Sequence, residues 1–442
     1  MINKLKEVTV EDIKDKNILT LGNFYPLKSK DKGFKIVFDS KVILGLIIGY
    51  ISNQKIEKKF EIDEFKRSCQ DSLQNKLSDE QAIAVICKIY FDSNVYLNLS
   101  PLMYQIYQSE NKEDKSNKAF EMIFKPFLKK MSLNIETSKK VNFIEKHIID
   151  SFKKHCKSNE NTKEIHGSYL SVLEEVFLKD FNFLLEREEY FLANIDRFIK
   201  FYIFIYASQL ALNLKPYFLE KPIIRELYFI LNSEKTSQER KKLVNGSYKT
   251  LFEKVGYLFP YLSMLGQLAT LTDNQDLRLY ELLDEIENTQ ESIQVMDEFT
   301  RKFREKRKLE NIEICSENIE KSIKSLFKSA YQEFFDKANT KDKIFRDYKN
   351  AFEKHIAKDF IQGRGRFGKV CVLNQEMILF LTNLAIGDRD SLYFEELIAE
   401  FEKRGVFFDH KSKEALLALF ERVENIERKS DSGDSIYVYK TV

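Results

Sequence analysis

The stretch Ile426-Glu-Arg-Lys-Ser-Asp-Ser-Gly-Asp-Ser-Ile-Tyr-Val-Tyr-Lys440 decides the prediction of the fold. Two short runs, residues 426–429 and 435–440, lie on either side of Ser430-Asp-Ser-Gly-Asp434. Ser, Asp and Gly favour tight turns, and Ile, Tyr and Val favour strands. The pattern therefore predicts a β-hairpin between residues 426 and 440.

The residues before this hairpin predict an alternation of short strands and helices. In order, we predict a strand at 370–373, a helix at 375–386, a strand at 391–393, a helix carrying Phe394, Leu397, Ile398 and Phe401, and a helix carrying Leu416, Leu419, Phe420 and Val423. The apolar residues of the last two helices recur at i, i+3, i+4 and i+7, which is typical of amphipathic helices. Asn374 is a good N-cap, while residues 387–390 and Arg404-Gly405 end the first two helices. Residues 406–409 are predicted as a turn.

The order helix, strand, helix, helix, hairpin is that of a winged helix-turn-helix. In that fold the start of the third helix can enter the major groove of DNA, and the hairpin, or wing, can touch phosphates. The candidate DNA-binding residues are therefore Lys411, Ser412 and Lys413 on the helix, with Arg428, Lys429 and Lys440 on the wing.

The charge of this region limits that interpretation. Residues 360–442 contain 12 Lys and Arg but 14 Asp and Glu. Counterion release dominates affinity for DNA, so a net-acidic domain is a poor free-standing DNA binder. Asp431 and Asp434 at the predicted wing tip would also repel phosphates. Docking on another protein and contact with DNA both stay open.

Composition indicates a soluble protein of two or three domains. Among 442 residues, 71 Lys and Arg nearly balance 69 Asp and Glu, so any basic surface must be local. The five Cys are scattered and form no C-x-x-C pair, which favours a reducing cytoplasm and argues against disulfides or structural zinc. The first residues lack a signal-peptide core, and the apolar run 42–51 is too short to span a bilayer. We expect a cytoplasmic protein without a membrane segment.

The pattern along the chain predicts a mainly α-helical fold. The scarcity of Pro and Gly favours long helices. Residues 17–21 and 33–38 contain the main remaining strand signals, whereas the apolar period from about 56 to 360 is mostly helical, as in a helix bundle. We predict a small N-terminal β-containing segment (1–55), a multi-helix central domain (56–361) and a C-terminal winged-helix domain (362–442).

The sequence Gly363-Arg-Gly-Arg-Phe-Gly368 matches G-x-G-x-x-G. A dinucleotide site needs this motif between a strand and the start of a helix. Here it follows a predicted helix, residues 352–361, and precedes a strand, so we predict no nucleotide site. It is either a hinge or a basic loop in which Arg364, Arg366 and Lys369 approach DNA or an acidic partner.

Other possible signs of chemistry are weak. His147, His155, Cys156 and His166 cluster in sequence without the i, i+4 spacing that places two metal ligands on one helix face. The charged run at 301–308 is either a solvated or helix-packing surface, or a stripe that tracks phosphates.

Asp39, Glu64 and Lys66 resemble the acids and lysine of a magnesium-dependent nuclease, although such acid-x-Lys patterns arise readily by chance in so charged a chain. No Walker motif is present, so ATP hydrolysis would have to come from a partner. We predict no catalytic residue, metal, cofactor or small-molecule substrate.

The C-terminal residues resemble the DptG family of DNA phosphorothioation-dependent restriction proteins. Four stretches carry the resemblance: Gly363-Arg-Gly-Arg-Phe-Gly-Lys-Val-Cys-Val-Leu-Asn374, Leu381-Thr-Asn-Leu-Ala-Ile-Gly387, Glu402-Lys-Arg-Gly-Val-Phe-Phe-Asp409 and Lys429-Ser-Asp-Ser-Gly-Asp434. The helical remainder is compatible with that family without being diagnostic of it.

This resemblance implies a subunit of a bacterial antiviral defence system that restricts DNA lacking sulfur in its backbone. It also implies that the ATPase and helicase-like activities belong to companion proteins, and it supplies no catalytic residue. We therefore predict a non-catalytic subunit that bridges ATPase or helicase-like partners and unmodified DNA. The alternatives are a magnesium-dependent nuclease subunit and a winged-helix transcription regulator.

Overall fold

A computed structural model of the chain describes residues 5, 13, 24–25, 38–77, 79–110, 116–129, 131, 141–158, 167–272, 277–310, 312–334, 341–429 and 435–442. Across these residues the fold is mainly α-helical with a few small sheets, as predicted. The predicted strands at 17–21 and 33–38 lie outside the described residues, apart from Phe38. No described helix combines the length and the apolar character that crossing a bilayer requires.

The α-helices of the described residues are α1 Ser40–Ile51, α2 Ile62–Gln74, α3 Glu80–Cys87, α4 Ile106–Glu110, α5 Ser116–Phe124, α6 Phe143–Lys153, α7 Glu174–Leu185, α8 Glu188–Asn213, α9 Lys241–Gly246, α10 Tyr248–Val255, α11 Leu258–Thr272, α12 Leu282–Glu285, α13 Gln290–Lys306, α14 Ile319–Gln332, α15 Lys341–Ala351, α16 Gln375–Ile386, α17 Phe394–Lys403 and α18 His410–Arg422. The strands are β1 Gln54–Ile56, β2 Cys156–Ser158, β3 Tyr228–Leu231, β4 Ile361–Gly363, β5 Lys369–Leu373, β6 Ser391–Tyr393, β7 Phe407–Phe408, β8 Ile426–Lys429 and β9 Ser435–Tyr439. A π-helical turn, Phe352–Ala357, and a 3-10 turn, Lys358–Phe360, lead from α15 into β4.

The chain folds into two compact units. The larger unit consists of Met1–Ile36, Ser168–Arg187 and Phe201–Val442, and the smaller unit consists of Val37–Gly167 and Glu188–Lys200. The boundaries of the three domains expected from sequence, 1–55, 56–361 and 362–442, stay predictions.

Helix α1 packs tightly inside the smaller unit. The Asp39 carboxylate caps it by accepting hydrogen bonds from the backbone N–H groups of Lys41 and Val42, at 2.9 and 3.3 Å. A Cβ on Gly45 would lie 2.3 Å from the carbonyl oxygen of Tyr104, so glycine is required at this crossing. Strands β1 and β2 pair antiparallel beside it.

The larger unit contains a four-stranded sheet whose strands come from distant parts of the chain. Its order is β4-β5-β3-β7, with β4 antiparallel to β5, and with β3 parallel to both β5 and β7. The mostly helical period expected from about 56 to 360 does not extend to β3. All four residues of β3 are buried, and a short, continuous apolar run looks the same in a buried helix and in a parallel strand.

Both faces of this sheet are covered. One face carries a hydrophobic group, here called the β3–β5 cluster, made of Tyr228, Ile230, Leu243, Val370 and Val372 with Phe367 and Phe407 packed against it. On the other face, Phe229 meets Phe204 of α8 edge to face, with ring centroids 6.1 Å apart. Phe204 in turn stacks on Phe360 at 4.6 Å. The sheet is therefore an internal element of the larger unit.

The helices and strands predicted for the C-terminal residues are confirmed, with one exception. Asn374 caps α16 by accepting the backbone N–H of Met377 at 2.8 Å, and Gly387 and Gly405 end α16 and α17 with φ of 63° and 77°. Strands β6, β9 and β8 form an antiparallel sheet in that order. The exception is the predicted turn at 406–409, because Phe407–Phe408 is strand β7 and pairs with β3.

A fully buried arginine follows the last residue of α17. The Arg404 guanidinium forms a bidentate ion pair with Asp180 of α7, with Nε–Oδ2 and Nη2–Oδ1 distances of 2.9 and 2.6 Å, and neither side chain is exposed. Glu400 accepts from the remaining nitrogen at 2.9 Å, and Tyr202 of α8 donates its hydroxyl to Asp180 at 2.5 Å. Burial alone would lower the pKa of Arg404, but the Asp180 carboxylate raises the pKa of Arg404 above its ordinary value. The charged group therefore joins α7, α8 and α17.

Replacing Asp180 by Asn keeps the shape of the side chain and removes the charge opposite Arg404. We expect the free energy of unfolding to fall by about 3–5 kcal/mol, because the buried guanidinium loses its compensating charge. Amide hydrogen exchange in peptides from α7 and α17 measures the change locally. The control, Glu298→Ala, breaks the exposed pair with Arg301 and should cost less than about 1 kcal/mol. Equal effects from the two variants would contradict the role given to Asp180.

Glu400 makes the stability of the larger unit depend on pH. Burial raises the pKa of this carboxyl, but hydrogen bonds from Lys403 and Arg404 outweigh burial and lower the pKa to about 2 from an ordinary 4.5. A lowered pKa stabilises the folded state above the unfolded value, and this contribution is lost as the pH falls from about 5 towards 2. We expect urea midpoints to fall more steeply over that interval in the wild type than in Glu400→Gln. Parallel profiles would refute the expectation.

Candidate nucleic-acid interface

The first turn of α18 brings together candidate residues with different surroundings. Lys411 is exposed, and Lys413 is half-buried with its ammonium 3.2 Å from the Glu395 carboxylate. Ser412 is fully buried, and its hydroxyl donates to the carbonyl oxygen of Phe229 in β3 at 3.3 Å. The prediction that Ser412 contacts DNA is therefore wrong, because its side chain faces the four-stranded sheet.

A buried ion-pair cluster joins the start of α18 to the start of α9. Arg240 donates from Nε to Asp409 at 2.8 Å, from Nη1 to Glu234 at 2.9 Å and from Nη2 to the Ser412 hydroxyl at 2.7 Å. Asp409 also caps α18 by accepting the backbone N–H of Ser412 at 3.0 Å. These four residues, the Arg240 cluster, fix the two helix starts to one another.

The charged groups of the Arg240 cluster stabilise one another. Burial alone would lower the pKa of Arg240, but hydrogen bonds and attraction from Asp409 and Glu234 raise it. Burial alone would raise the pKa of Asp409, but Arg240 and the backbone N–H of Ser412 lower it. Each group therefore favours the charged form of its partner.

The G-x-G-x-x-G motif forms the turn of the β4–β5 hairpin. Gly363 pairs with Lys369, and the Arg364 N–H donates to the carbonyl oxygen of Gly368 at 2.8 Å. Gly365 and Gly368 adopt φ of 54° and 91°, a region that favours glycine. The motif lies between two paired strands, so the predicted hinge is wrong. It also lacks the following helix that a dinucleotide site needs.

The basic side chains of this turn are not equally available to a ligand. Arg364 donates from Nη2 to the carbonyl oxygen of Asn232, just after β3, at 2.7 Å. Lys369 forms an ion pair with Glu353. Arg366 is exposed. The structure therefore favours Arg366 over Arg364 and Lys369 as a contact for a ligand.

The β8–β9 hairpin carries cations that lie beside acidic groups. Arg428 pairs with Glu421 of α18, and the Lys440 ammonium is 4.0 Å from Asp390. Lys429 is paired in register with Ser435. The side chain of Lys429, and the turn with Asp431 and Asp434, lie outside the described residues.

Two arginines of the charged run at 301–308 are used inside the protein. Arg304 and Arg307 are buried, with Arg304 donating to Gln332 at 2.7 Å and Arg307 lying 3.1 Å from Glu333. For these two residues the helix-packing interpretation is confirmed. They are not accessible to track phosphates.

The residues proposed for a nuclease lie at or near the starts of two helices. Asp39 is the cap of α1, Glu64 lies in the first turn of α2, and the Lys66 ammonium lies 5.5 Å from the Tyr96 ring centroid. Within the described part of the chain, no three His, Cys, Asp or Glu residues are placed to hold a metal ion. His166 lies outside the described residues.

Arg240 and the two lysines that follow it have no strong signal in the sequence. Arg240 and Asp409 are separated by 169 residues, so no local pattern reports their contact. The run Arg240-Lys-Lys242 is the one local sign of a basic segment at α9.

Two neighbouring substitutions distinguish a structural residue from a surface residue in α18. Ser412→Ala removes a hydrogen-bond partner from the buried Arg240 cluster, so we expect a loss of about 1–2 kcal/mol in the free energy of unfolding. Lys411→Ala changes an exposed side chain and should stay within about 0.5 kcal/mol of the wild type. Urea denaturation compares the two. Equal stability of the two variants would contradict the structural role of Ser412.

The candidate interface thus combines exposed cations, including Lys411 and Arg366, with the buried Arg240 cluster at the start of α18. A scan of the chain against protein-family models found no matching family. A search of curated proteins found no matching relative. The inference of function therefore rests on the residues of this chain and their geometry.

Proposed function

We propose that this protein is a non-catalytic subunit of a DNA phosphorothioation-dependent restriction complex, in which it bridges ATPase or helicase-like partners and unmodified DNA. The resemblance of its C-terminal residues to the DptG family motivates the proposal. The observation that carries it is the order and pairing of the elements from α16 to β9.

In this proposal residues 362–442 form a winged helix-turn-helix. Elements α16, β6, α17, α18, β8 and β9 follow one another in the order of that fold, and their strands pair in the order β6-β9-β8. Helix α18 then corresponds to the helix that approaches DNA, and the β8–β9 hairpin corresponds to the wing. The exposed Lys411 at the start of α18 supports a docking role for this end of the helix.

The charge of this region favours a bridging role over free-standing binding to DNA. Its acidic residues outnumber its basic ones, and the exposed Glu414 and Glu421 lie on α18 itself. An acidic surface is repelled by phosphates and suits a protein partner. A subunit with an acidic side for a protein and a basic side for DNA fits both halves of the proposed role.

The alternative functions have less support. In a nuclease, Asp39 would bind the metal, but its carboxylate already accepts two backbone hydrogen bonds at the start of α1. A transcription regulator reads base edges with side chains at the start of α18. There, Ser412 is turned into the protein.

Co-expression with the other proteins of the same gene set tests the proposed role. We expect this chain to co-purify with an ATPase or helicase-like protein, and the complex to bind unmodified duplex DNA in gel shifts more tightly than phosphorothioated DNA. Failure to bind either a protein partner or DNA would end the proposal.

A separate experiment tests the nuclease alternative. Restriction of unmodified DNA by the reconstituted complex should be unchanged in Glu64→Ala, because Glu64 has no catalytic role in our proposal. Magnesium-dependent cleavage by the purified chain, lost in Glu64→Ala, would replace the non-catalytic role with the nuclease role.

A further inference from the structure

We propose that an open groove between α12 and α14 is a docking site for the protein partner, and that it receives a lysine- or arginine-bearing segment of the ATPase or helicase-like subunit. The inference rests on the proposed function, because it takes the bridging role as given and adds the surface that meets the partner. None of the residues that line the groove lies in 362–442. Binding of the partner there uses no residue that the winged helix would use for DNA.

The groove lies between two parts of the chain that one side chain holds together. Its volume is about 530 Å³, which is within the range of about 300–1,000 Å³ that ligand sites occupy. One wall consists of the end of α12 and the residues that follow it, and the other wall is the start of α14, residues 318–320. The Asn288 side chain joins the walls by accepting the backbone N–H of Ile319 at 3.0 Å.

Apolar side chains form the floor of the groove. Ile286 and Ile319 are buried, at 2% and 4% exposure, whereas Leu283 is 36% exposed. Leu283 lies in α12 and lines the groove, so it presents apolar surface to solvent there. Lysine and arginine side chains pack their long aliphatic stems on such a surface while the charged end stays in polar surroundings.

Two carboxylates of the groove have no cation. Asp284 and Glu287 line the groove and are exposed, and within the described part of the chain neither forms an ion pair. Glu320, the third carboxylate of the groove, pairs with Lys324. The described residues that line the groove include no Lys or Arg. The charges of Asp284 and Glu287 are therefore available to a cationic partner.

The charge balance of the two walls and their flanking residues is acidic. Residues 279–291 contain five Asp and Glu and no Lys or Arg, and two more acids, Glu317 and Glu320, lie at the start of α14. Three cations adjoin these stretches, and each pairs with one of the seven acids: Arg278 with Glu281, Lys321 with Glu317, and Lys324 with Glu320. Four acids remain in excess, and Asp284 and Glu287 are two of them.

The basic run at 301–308 does not offset this excess, because it lies at the other end of α14. Arg304 and Arg307 contact Gln332 and Glu333 at the end of that helix, whereas the groove lies at its start. The 14 residues of α14 span about 21 Å. Exposed charges are screened over about 8 Å at physiological ionic strength.

Other classes of ligand fit the groove less well. An anion, including the phosphates of DNA, would be repelled by Asp284 and Glu287, and the backbone N–H of Ile319 already has an acceptor in Asn288. In the described residues no three His, Cys, Asp or Glu are placed to hold a metal ion. A protein segment that carries a cation on an aliphatic stem matches both the apolar floor and the unpaired carboxylates.

Titration of the purified ATPase or helicase-like subunit against the full-length protein tests the groove. In Asp284→Asn/Glu287→Gln we expect affinity at about 0.1 M salt to fall on the order of 10-fold, and the remaining binding to depend less on salt, because two attractive charges are lost. The matched control, Asp63→Asn/Glu64→Gln, removes an exposed Asp and Glu from the first turn of α2 and should bind as the wild type does. Asp284→Glu/Glu287→Asp keeps both charges and should retain binding, which separates loss of charge from loss of fold.

The outcomes separate the two proposals. Wild-type affinity and salt dependence in Asp284→Asn/Glu287→Gln, or an equal loss in Asp63→Asn/Glu64→Gln, would overturn the groove as a docking site and leave the bridging role intact. Failure of the wild type to bind any protein of the gene set would overturn the bridging role and the inference with it. A wild-type dimer in analytical ultracentrifugation that Asp284→Asn/Glu287→Gln converts to a monomer would assign the groove to a second copy of the chain and overturn the inference.

Discussion

A buried charge constrains the arrangement of the larger unit. Taking a guanidinium and a carboxylate out of water costs several kcal/mol per ion, so their geometry must compensate closely. Arg404 does so through two hydrogen bonds to the Asp180 carboxylate and one to the Glu400 carboxylate, and it also donates to the carbonyl oxygens of Glu400 and Leu384, at 2.7 and 3.3 Å. These partners lie on α7, α17 and α16. A shift of any of these helices would leave a buried charged group without its partner.

The chain that leads into β3 is held by side chains of a helix. Gln209 and Asn213, four residues apart on α8, each both donate to and accept from the backbone, at Arg225 and Ile223 respectively. Four helical residues rise about 6 Å, and two strand residues rise about 6.6 Å, so the two amides match an extended chain. The two amide side chains bind the backbone of this segment as a neighbouring strand would. The segment continues into β3, which pairs with β5 and β7, so the C-terminal helices are part of the larger unit and not a separate appendage.

The elements that the sequence predicts well depend on neighbours within about one helical turn. Asn374, Gly387 and Gly405 mark the ends of α16 and α17 through their own backbone geometry. The pairing of β3 with β5 and β7 has no such local signal, since it depends on residues far apart in the chain. The wrong prediction for Ser412 has the same cause. Ser412 looks like an ordinary polar residue at a helix start, but its partner Arg240 lies 172 residues away in the chain. Lys411 and Arg366 could be selected from the sequence as candidate cations, and both are exposed, whereas the contact of Arg240 with the start of α18 could not be predicted.

The Arg240 cluster also changes the electrostatics of the surface above it. Asp409 is the acid closest in sequence to Lys411, and a free carboxylate there would oppose an approaching phosphate. Arg240 pairs with it inside the protein, but the same guanidinium also pairs with Glu234, so one positive charge is shared between two carboxylates.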